Sequence, residues 1–233
     1  YNQQAKKMPN PQPPLSHGKF FHIYNRGTNG CNLFLENDNY RYFLNLYDKY
    51  IHCIADTFAW VLMPNHFHFL VQIKDEKSID FNPRKLIIKE QALARVESKS
   101  LISSSDFDPI TDFSHERYKP EQQFSNLFNA YAQAVNKKYH RTGSLFEHTF
   151  HRKEVEHSRY FRQLVLYIHN NPVHHGFCSH PVEYPWSSYI TCVSEKQTKL
   201  KRDQVVQWFE NTENFISVHN QKEEVSEIEE WLG

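Results

Sequence analysis

Two histidines stand two residues apart in the apolar run WVLMPNHFHFLVQI at residues 60–73. Side chains alternate between the two faces of a β-strand, so His66 and His68 should project from one face about 7 Å apart. That spacing allows both imidazoles to converge on one metal ion or on one phosphate. Two half-exposed surface histidines are the alternative interpretation. The apolar neighbours Phe67 and Phe69 instead indicate a central strand, where a histidine pair needs a third ligand to complete a metal site.

A tyrosine and an asparagine lie four residues apart in the segment LVLYIHNNPV. On a helix, Tyr167 and Asn171 share one face. A buried core tyrosine is the ordinary interpretation of Tyr167, but a phenolate oxygen is also a competent covalent nucleophile. Its unperturbed pKa of about 10 means that a nearby cation or base has to activate it. Beside a histidine pair, Asn171 could place its amide oxygen on the metal while Tyr167 faces the substrate.

The sequence disfavours several other kinds of site. The histidine pair lacks the Asp and His that follow it in HxHxDH zinc sites, which argues against a two-zinc hydrolase. No cluster of Asp and Glu has the spacing expected of a two-metal carboxylate nuclease. An RRM-type sheet is disfavoured because NHFHF carries histidines at the strand positions where an RRM carries the aromatic residues that stack on bases. The four cysteines lack a CxxC spacing, which predicts reduced core residues rather than a zinc knuckle or disulfides.

The composition predicts a folded, soluble, intracellular chain. Of its 233 residues, 39 % are hydrophobic and 15 % aromatic, which is enough to build a core. No apolar run approaches the roughly 18 residues of a membrane span, and the polar N-terminus has no secretory segment. The 27 basic and 27 acidic residues are unevenly spread, since residues 201–233 hold three basic and eight acidic ones. The mildly basic remainder is compatible with a polyanionic ligand without requiring one.

The first half of the chain predicts a strand, a helix and two strands. KFFHIYNRG is typical of a strand that ends at Gly27, and ENDNYRYFLNLYDKYIHC of a helix capped by Asn37 or Asp38. DTFAWVLM and HFHFLVQI predict two strands joined by a tight turn at Pro64-Asn65. The order to this point is β-α-β-β.

The second half predicts a helix, a strand and another helix. EQQFSNLFNAYAQAVNKKYHRTG has helical spacing with Gly143 as a stop signal, and SLFEHTFHRKEVE alternates like a strand. SRYFRQLVLYIHNNPV predicts a helix capped by Ser158 and ended by Pro172. The complete order predicts an α+β fold, a ferredoxin-like split β-α-β sheet with an extra helix that carries Tyr167.

The domain organisation is predicted from changes in composition. Residues 1–18 are rich in Pro and Gln and predict an irregular arm, and residues 19–192 form the main domain. Within that domain, residues 75–120 are Ser-rich, charged and weakly periodic, which indicates an inserted excursion. Residues 193–233 are predicted to be an acidic, helical C-terminal extension. The segment YPWSSY just before it is expected to pack on the core.

Four separated motifs resemble one known family. PNHFHFLVQ, GSLFEHTFHRKEV, YIHNNPVHHG and YPWSSY follow one another in the order found in single-tyrosine HUH transposases. The resemblance is closest to the REP-associated tyrosine transposases, relatives of the small insertion-sequence transposases, and runs from about His22 to Tyr189. Residues 75–120 and the acidic C-terminal extension are additional to the family pattern.

The resemblance implies a metal-dependent transposase that cuts single-stranded DNA beside imperfect hairpins and rejoins the strands through a 5′-phosphotyrosine. It implies a Mg²⁺ or Mn²⁺ ion on His66, His68 and Asn171, with Tyr167 as the nucleophile. It also leads us to expect a cytoplasmic, nucleoid-associated bacterial protein with no membrane partner. The sequence leaves open whether Tyr167 meets the histidines within one subunit or across a homodimer.

Cationic side chains are expected to contact the DNA. Four candidates lie together at the end of a predicted helix, where they would also complement the helix dipole: Lys137, Lys138, His140 and Arg141. Three more are scattered along the predicted strands: Arg26, Arg152 and Lys153. His174 and His175 could also approach the site.

Two other functions stay open at this point. A non-catalytic single-stranded nucleic-acid binder derived from a transposase would bind hairpins without forming a covalent adduct. A metal hydrolase of small phosphodiesters would turn over without covalent attachment.

Overall fold

The computed structural model describes residues 12–79, 119–147 and 149–221. Most of the predicted N-terminal arm, most of the predicted excursion and the acidic end of the predicted extension lie outside the described residues. The described elements are β1 (Phe20–Arg26), α1 (Asn37–Tyr50), β2 (Ala55–Met63), β3 (His66–Ile73), α2 (Pro120–Lys138), β4 (His151–Glu154), α3 (Ser158–His174), α4 (Tyr189–Val193), α5 (Arg202–Trp208) and α6 (Thr212–His219).

The four strands form one antiparallel sheet in the order β2-β3-β1-β4. β3 lies inside the sheet, as its apolar run predicts, and its bounds are those of the segment HFHFLVQI. With α1 and α2 as the connections, the order β-α-β-β-α-β gives a ferredoxin-like split sheet. The predicted α+β class and the extra helix α3 are confirmed.

Strand alternation gives the sheet two different faces. One face is apolar and packs beneath α1 and α2, with Phe21, Phe67 and Phe69 almost completely buried. The other we call the histidine face, and its side chains around the site are His22, Tyr24, His66 and His68. α3 covers this face over β2 and β3. α3 also reaches β1, where the Phe161 ring lies 4.5 Å from the ring of Phe20 and Tyr167 lies near His22.

The ends of α1 and α2 differ from the prediction. Glu36, rather than Asn37 or Asp38, is the N-cap of α1, because the side chain of Asn39 reaches back to accept a hydrogen bond from the Glu36 backbone N–H. α2 ends at Lys138, well before the predicted stop signal, since the backbone of His140 already adopts a left-handed φ of 52°.

The bounds of α3 also differ from the prediction. His157 is the N-cap and Ser158 is the first helical residue. The helix continues through Pro172 to His174, because a proline in the last turn removes only one backbone N–H donor and the C-terminus keeps another capping hydrogen bond. The backbone N–H of His175 donates to the Asn171 carbonyl there. Asn171 therefore stays on regular helix, one turn after Tyr167.

β4 is much shorter than the predicted strand. Only His151–Glu154 pairs with β1, while Phe146 makes an isolated bridge to Gly27. The neighbours Leu145 and Phe146 both enter the same apolar core. Two successive inward side chains break the alternation that a strand requires.

The C-terminal part of the chain packs against the sheet and α3. The predicted packing of YPWSSY is confirmed, since the Tyr184 hydroxyl donates to the Leu62 carbonyl at 2.8 Å and the Trp186 ring stacks on Tyr40. α5 and α6 bury Phe209 and Phe215 in the apolar cluster that also holds α3. None of the helices in the described ranges is both long enough and apolar enough to cross a membrane.

Candidate active site

His66 and Asn171 join β3 to α3 at one end of the histidine face. Nε2 of His66 lies 2.9 Å from Oδ1 of Asn171. His66 is the first residue of β3, and the side chain of Asn171 is buried. Adjacent ligands of an octahedral ion with bonds of about 2.1 Å are roughly 3 Å apart. These two atoms therefore already have the separation of two neighbouring metal ligands.

The second ring nitrogen of His66 is also engaged. Nδ1 of His66 lies 2.7 Å from Oδ1 of Asn65, in the turn between β2 and β3. Burial lowers the pKa of His66 to about 4, although the hydrogen bond with Asn171 acts in the opposite direction. At neutral pH the imidazole is therefore neutral, which is the form that binds metal ions.

His68 pairs with a histidine of the neighbouring strand. Its Nδ1 atom lies 2.9 Å from Nε2 of His22, and the two rings stack with centroids 5.1 Å apart. Both side chains are buried. Burial lowers the pKa of His22 to about 3 and holds that of His68 well below its usual range. Two neutral imidazoles share this contact, so one ring donates and the other accepts.

Tyr167 lies against this histidine pair. Its ring meets the ring of His68 edge-on at 5.3 Å and that of His22 at 6.4 Å between centroids. The rings of His66 and His68 are 5.2 Å apart, and the exposed His175 lies 5.1 Å from His66. All these ring contacts are made within one chain.

A cavity of about 450 Å³ opens beside His66. It is lined by Tyr24, Asn25, Arg26, Asn32, Pro64, Asn65, His66, His151, His175 and Phe177. None of these described lining residues is acidic, and one is a permanent cation. Phe177 is 54 % exposed on its rim and presents an aromatic face to solvent. The size is typical of a pocket for one small ligand or one nucleotide, about 300–1,000 Å³.

The predicted cations divide between the two faces of the sheet. Arg26 lines the cavity and forms an ion pair with Glu147 at 3.3 Å. Lys153 is opposite His22 in the strand register and therefore shares the histidine face. Arg152 points to the other face, where its guanidinium lies 5.4 Å from the Phe150 ring centroid.

The cations at the end of α2 lie on the side of α1. Lys138 forms an ion pair with Glu36, and an Arg141 guanidinium nitrogen lies 3.7 Å from the sulfur of Cys31. Lys137 and His140 are exposed near them. The structure therefore brings Arg26 and Lys153 to the histidine face and keeps the α2 group on the opposite side of the molecule.

Sequence reasoning missed the partners of the two histidines. His22 and Tyr24 have strand spacing in FHIYN, but their place beside His68 depends on the β1–β3 register. Asn65 was predicted only as a turn residue. His151, stacked on Tyr24 at 5.0 Å, belongs to a strand whose pairing depends on contacts distant in sequence.

The donor set fits a divalent metal ion. No group of three or more His, Cys, Asp or Glu side chains in the described part of the chain has metal-site spacing. The group His66, His68 and Asn171 is of a different kind, because its third member is an amide. Two neutral imidazoles and an amide oxygen are competent ligands, and the separation of 2.9 Å between His66 Nε2 and Asn171 Oδ1 suits two neighbours on one ion.

Comparisons with known proteins identify the fold. No protein-family model matches the sequence, and no curated protein matches it. A solved structure described as the REP-associated tyrosine transposase bound to a REP hairpin matches with a TM-score of 0.51 over 81 % of this chain and 87 % of that chain. The two sequences are 15 % identical over the match. The chain thus has the fold of a REP-associated tyrosine transposase.

Proposed function

We propose that this protein is a metal-dependent tyrosine transposase that cuts single-stranded DNA beside hairpins and rejoins the strands. Tyr167 is the nucleophile, and His66, His68 and Asn171 hold a Mg²⁺ or Mn²⁺ ion. The observation that carries the proposal is the approach of His66 Nε2 to Asn171 Oδ1 with Tyr167 against His68 in the same chain. The fold similarity to a transposase bound to a DNA hairpin supports the substrate class.

The reaction exchanges one phosphodiester for another. The Tyr167 oxygen bonds to phosphorus, the bond from phosphorus to the 3′ oxygen breaks, and the DNA 3′ end leaves as a hydroxyl. The phenol gives up one proton and the leaving oxygen takes up one, so the net reaction needs no cofactor beyond the metal. A bound divalent ion supplies Lewis-acid stabilisation of the charge on the phosphate. Rejoining is the reverse attack by a 3′-hydroxyl.

Residues of this chain orient the reacting groups. α3 carries Tyr167 and Asn171 on one face, so the position of the nucleophile and that of one ligand are coupled. The acid-free cavity beside His66 avoids repulsion of a phosphate, and Arg26 adds positive charge at its wall. The exposed ring of Phe177 offers a surface on which an unpaired base can stack. These features suit an extended single strand that passes across the histidine face.

The test is a search for a covalent protein–DNA adduct. The full chain is incubated with 5′-labelled and 3′-labelled single-stranded hairpins and Mn²⁺, and the products are separated on denaturing gels. We expect a metal-dependent band at the mass of protein plus the 3′ fragment, because Tyr167 retains the 5′ phosphate. Tyr167→Phe keeps the ring packing but removes the oxygen, so it should abolish the band.

Controls separate this proposal from its competitors. Tyr160→Phe removes an oxygen from a second tyrosine of α3, which stacks near His157, and should leave the band intact. His66→Ala should remove the band while hairpin binding persists. Hairpin binding by wild type without any band would establish a non-catalytic binder. Release of cleaved DNA with no adduct, unchanged in Tyr167→Phe, would establish a hydrolase instead.

A further inference from the structure

Each histidine of the pair has a separate hydrogen-bond partner on its Nδ1 atom. For His66 the partner is Oδ1 of Asn65 at 2.7 Å, and for His68 it is Nε2 of His22 at 2.9 Å. The two Nε2 atoms are not used in these contacts, and that of His66 faces Asn171. In both histidines the Nδ1 atom therefore contacts a neighbouring side chain, which comes from the β2–β3 turn for His66 and from β1 for His68.

We propose that Asn65 and His22 are positioning residues that fix both histidines as Nδ1–H tautomers, with the Nε2 lone pairs directed at the metal. The inference rests on the proposed metal site. It assigns roles to two residues that do not contact the reacting atoms. A metal-bound histidine usually donates its other N–H to a fixed acceptor, which orients the ring and strengthens the ligand.

The chemistry of Asn65 supports the assignment for His66. A neutral imidazole carries one proton, and an amide oxygen at 2.7 Å from Nδ1 accepts it. The Asn171 oxygen 2.9 Å from Nε2 also accepts hydrogen bonds, so the single ring proton has two competing acceptors. The shorter contact with Asn65 favours the proton on Nδ1, and a metal ion between Nε2 and Asn171 Oδ1 would use both of their lone pairs. The turn itself is fixed, because the Gly27 N–H donates to the Asn65 carbonyl at 2.8 Å. A Cβ atom on Gly27 would lie only 2.0 Å from the Cys31 carbonyl oxygen, so this position requires glycine.

The contact with His22 carries the assignment for His68, because Nδ1 of His68 is the ring nitrogen that the 2.9 Å contact engages. If His68 Nδ1–H donates to His22 Nε2, His22 carries its own proton on Nδ1. That atom is buried and has no hydrogen-bond partner among the described residues. A buried N–H without a partner is costly, and in the proposed arrangement metal binding at His68 Nε2 offsets that cost.

A second histidine pair in the same chain shows the usual structural solution. His169 bonds to His219 at 3.0 Å and to the Ser188 hydroxyl at 2.8 Å, and His219 bonds to the Phe215 carbonyl at 2.7 Å. Every ring nitrogen there has a protein partner. The pair of His22 and His68 differs, because Nδ1 of His22 has no partner among the described residues and the His68 ring lies edge-on to Tyr167, the proposed nucleophile.

The test measures metal affinity in the full chain without DNA. Mn²⁺ binding is followed by the EPR signal of the free ion. His22→Leu removes the acceptor behind His68 and Asn65→Ala removes the one behind His66, and each should weaken Mn²⁺ binding by about 10- to 100-fold. Thermal unfolding of each variant shows whether the fold is retained.

Rescue variants separate positioning from packing. The Oε1 atom of His22→Gln can occupy the place of the histidine Nε2, and Asn65→Asp keeps an oxygen acceptor. Both should bind Mn²⁺ within about threefold of wild type, Asn65→Asp more tightly because a carboxylate is the stronger acceptor. Equal weakening of Mn²⁺ binding in His22→Gln and His22→Leu would overturn the role of His22. Equal weakening in Asn65→Asp and Asn65→Ala would overturn the role of Asn65.

An NMR measurement reports the tautomers directly. In ¹⁵N-labelled protein saturated with diamagnetic Mg²⁺ at neutral pH, ring nitrogens of His66 and His68 should show protonated Nδ1 and unprotonated Nε2. Protonated Nε2 on either ring would overturn the assignment for that ring. Absence of Mn²⁺ binding by wild type would defeat the proposed metal function itself. Mn²⁺ binding by wild type with equal affinity in His22→Leu and Asn65→Ala would defeat only the positioning roles.

Discussion

At the scale of single residues, Arg152 and Lys153 are neighbours in sequence that lie on opposite faces of the sheet. Arg152 is opposite Ile23 in the register and bonds to the Pro13 carbonyl, whereas Lys153 is opposite His22. Lys153 is close enough to contribute, after burial, to the lowered pKa of that histidine. The two cations, both predicted to bind DNA, therefore have different surroundings.

Exchange of each cation for glutamine tests this difference. Lys153→Gln should weaken single-stranded DNA binding and reduce the slope of log K against log salt by about 0.7, because one phosphate contact is lost. Arg152→Gln should keep that slope and lower the free energy of unfolding by roughly 1 kcal/mol through loss of the Phe150 contact. Fluorescence anisotropy at several salt concentrations and urea unfolding give the two quantities. Identical slopes for both variants would contradict the placement of Lys153.

The sequence predicted the residues proposed for the site but not their supports. That His66 shares a face with His68, and Tyr167 with Asn171, follows from strand and helix periods, which are local. His22 could not be predicted, because its contact with His68 joins residues 46 positions apart through the strand register. The predicted DNA-binding role of Lys138 stays a prediction, although its ion pair with Glu36 joins helices that the sequence alone does not place together.

At the scale of elements, a ladder of hydrogen bonds holds α3 against β2. The Trp60 N–H donates to Ser188, whose hydroxyl lies 2.8 Å from His169 on α3. His169 is two residues after Tyr167, so this ladder fixes the helix that presents the proposed nucleophile. The step between His169 and Ser188 is buried and that between Ser188 and Trp60 is half-buried, and a broken step would leave polar groups without partners.

Ser188→Ala should therefore lower the free energy of unfolding by about 1–3 kcal/mol, because it leaves His169 Nε2 and the Trp60 N–H unsatisfied. Urea unfolding monitored by tryptophan fluorescence measures the change. Ser179→Ala is the matched control, since Ser179 is exposed and its hydroxyl bonds only to the exposed Glu183 side chain in the contacts described. An equal loss of unfolding free energy in both variants would mean that the hydrogen bonds of Ser188 do not stabilise the fold more than those of an exposed serine.

The elements themselves show where local patterns suffice. β3 was predicted to the residue, because alternation and a preceding Pro-Asn turn agree. The predicted end of α3 was wrong because Pro172 was taken as a stop, whereas a proline in the last turn removes only one backbone donor and the helix continues for two more residues. β4 was wrong because core packing of Leu145 and Phe146 overrode the alternating pattern.

At the scale of the whole molecule, buried histidines make stability depend on pH. Burial lowers the pKa of His219 to about 4 and holds that of His169 well below its usual range. The unfolded chain protonates these rings near pH 6.5, so below that pH it binds more protons than the folded protein. The free energy of unfolding should therefore fall as the pH decreases from about 6.5 to about 4, by on the order of 3 kcal/mol for His219 alone.

Urea unfolding between about pH 7.5 and pH 4.5 tests this sign, because stability rises with pH wherever the unfolded state binds more protons. His219→Gln removes one of the titrating rings and should flatten the curve relative to wild type, even if the variant is less stable at neutral pH. A curve that is level from pH 7.5 to 4.5, or unchanged in slope by His219→Gln, would contradict the argument.

The strap of residues 186–188 has a consequence for solubility. The Leu62 N–H donates to the Trp186 carbonyl and the Ser188 N–H to the Trp60 carbonyl, so the strap runs along the outer edge of β2. Free strand edges invite intermolecular β-pairing and precipitation. The segment that braces α3 thus also shields residues 60–62 of this strand from self-association. We expect a product terminated before Tyr184 to form inclusion bodies, even though it keeps every proposed catalytic residue.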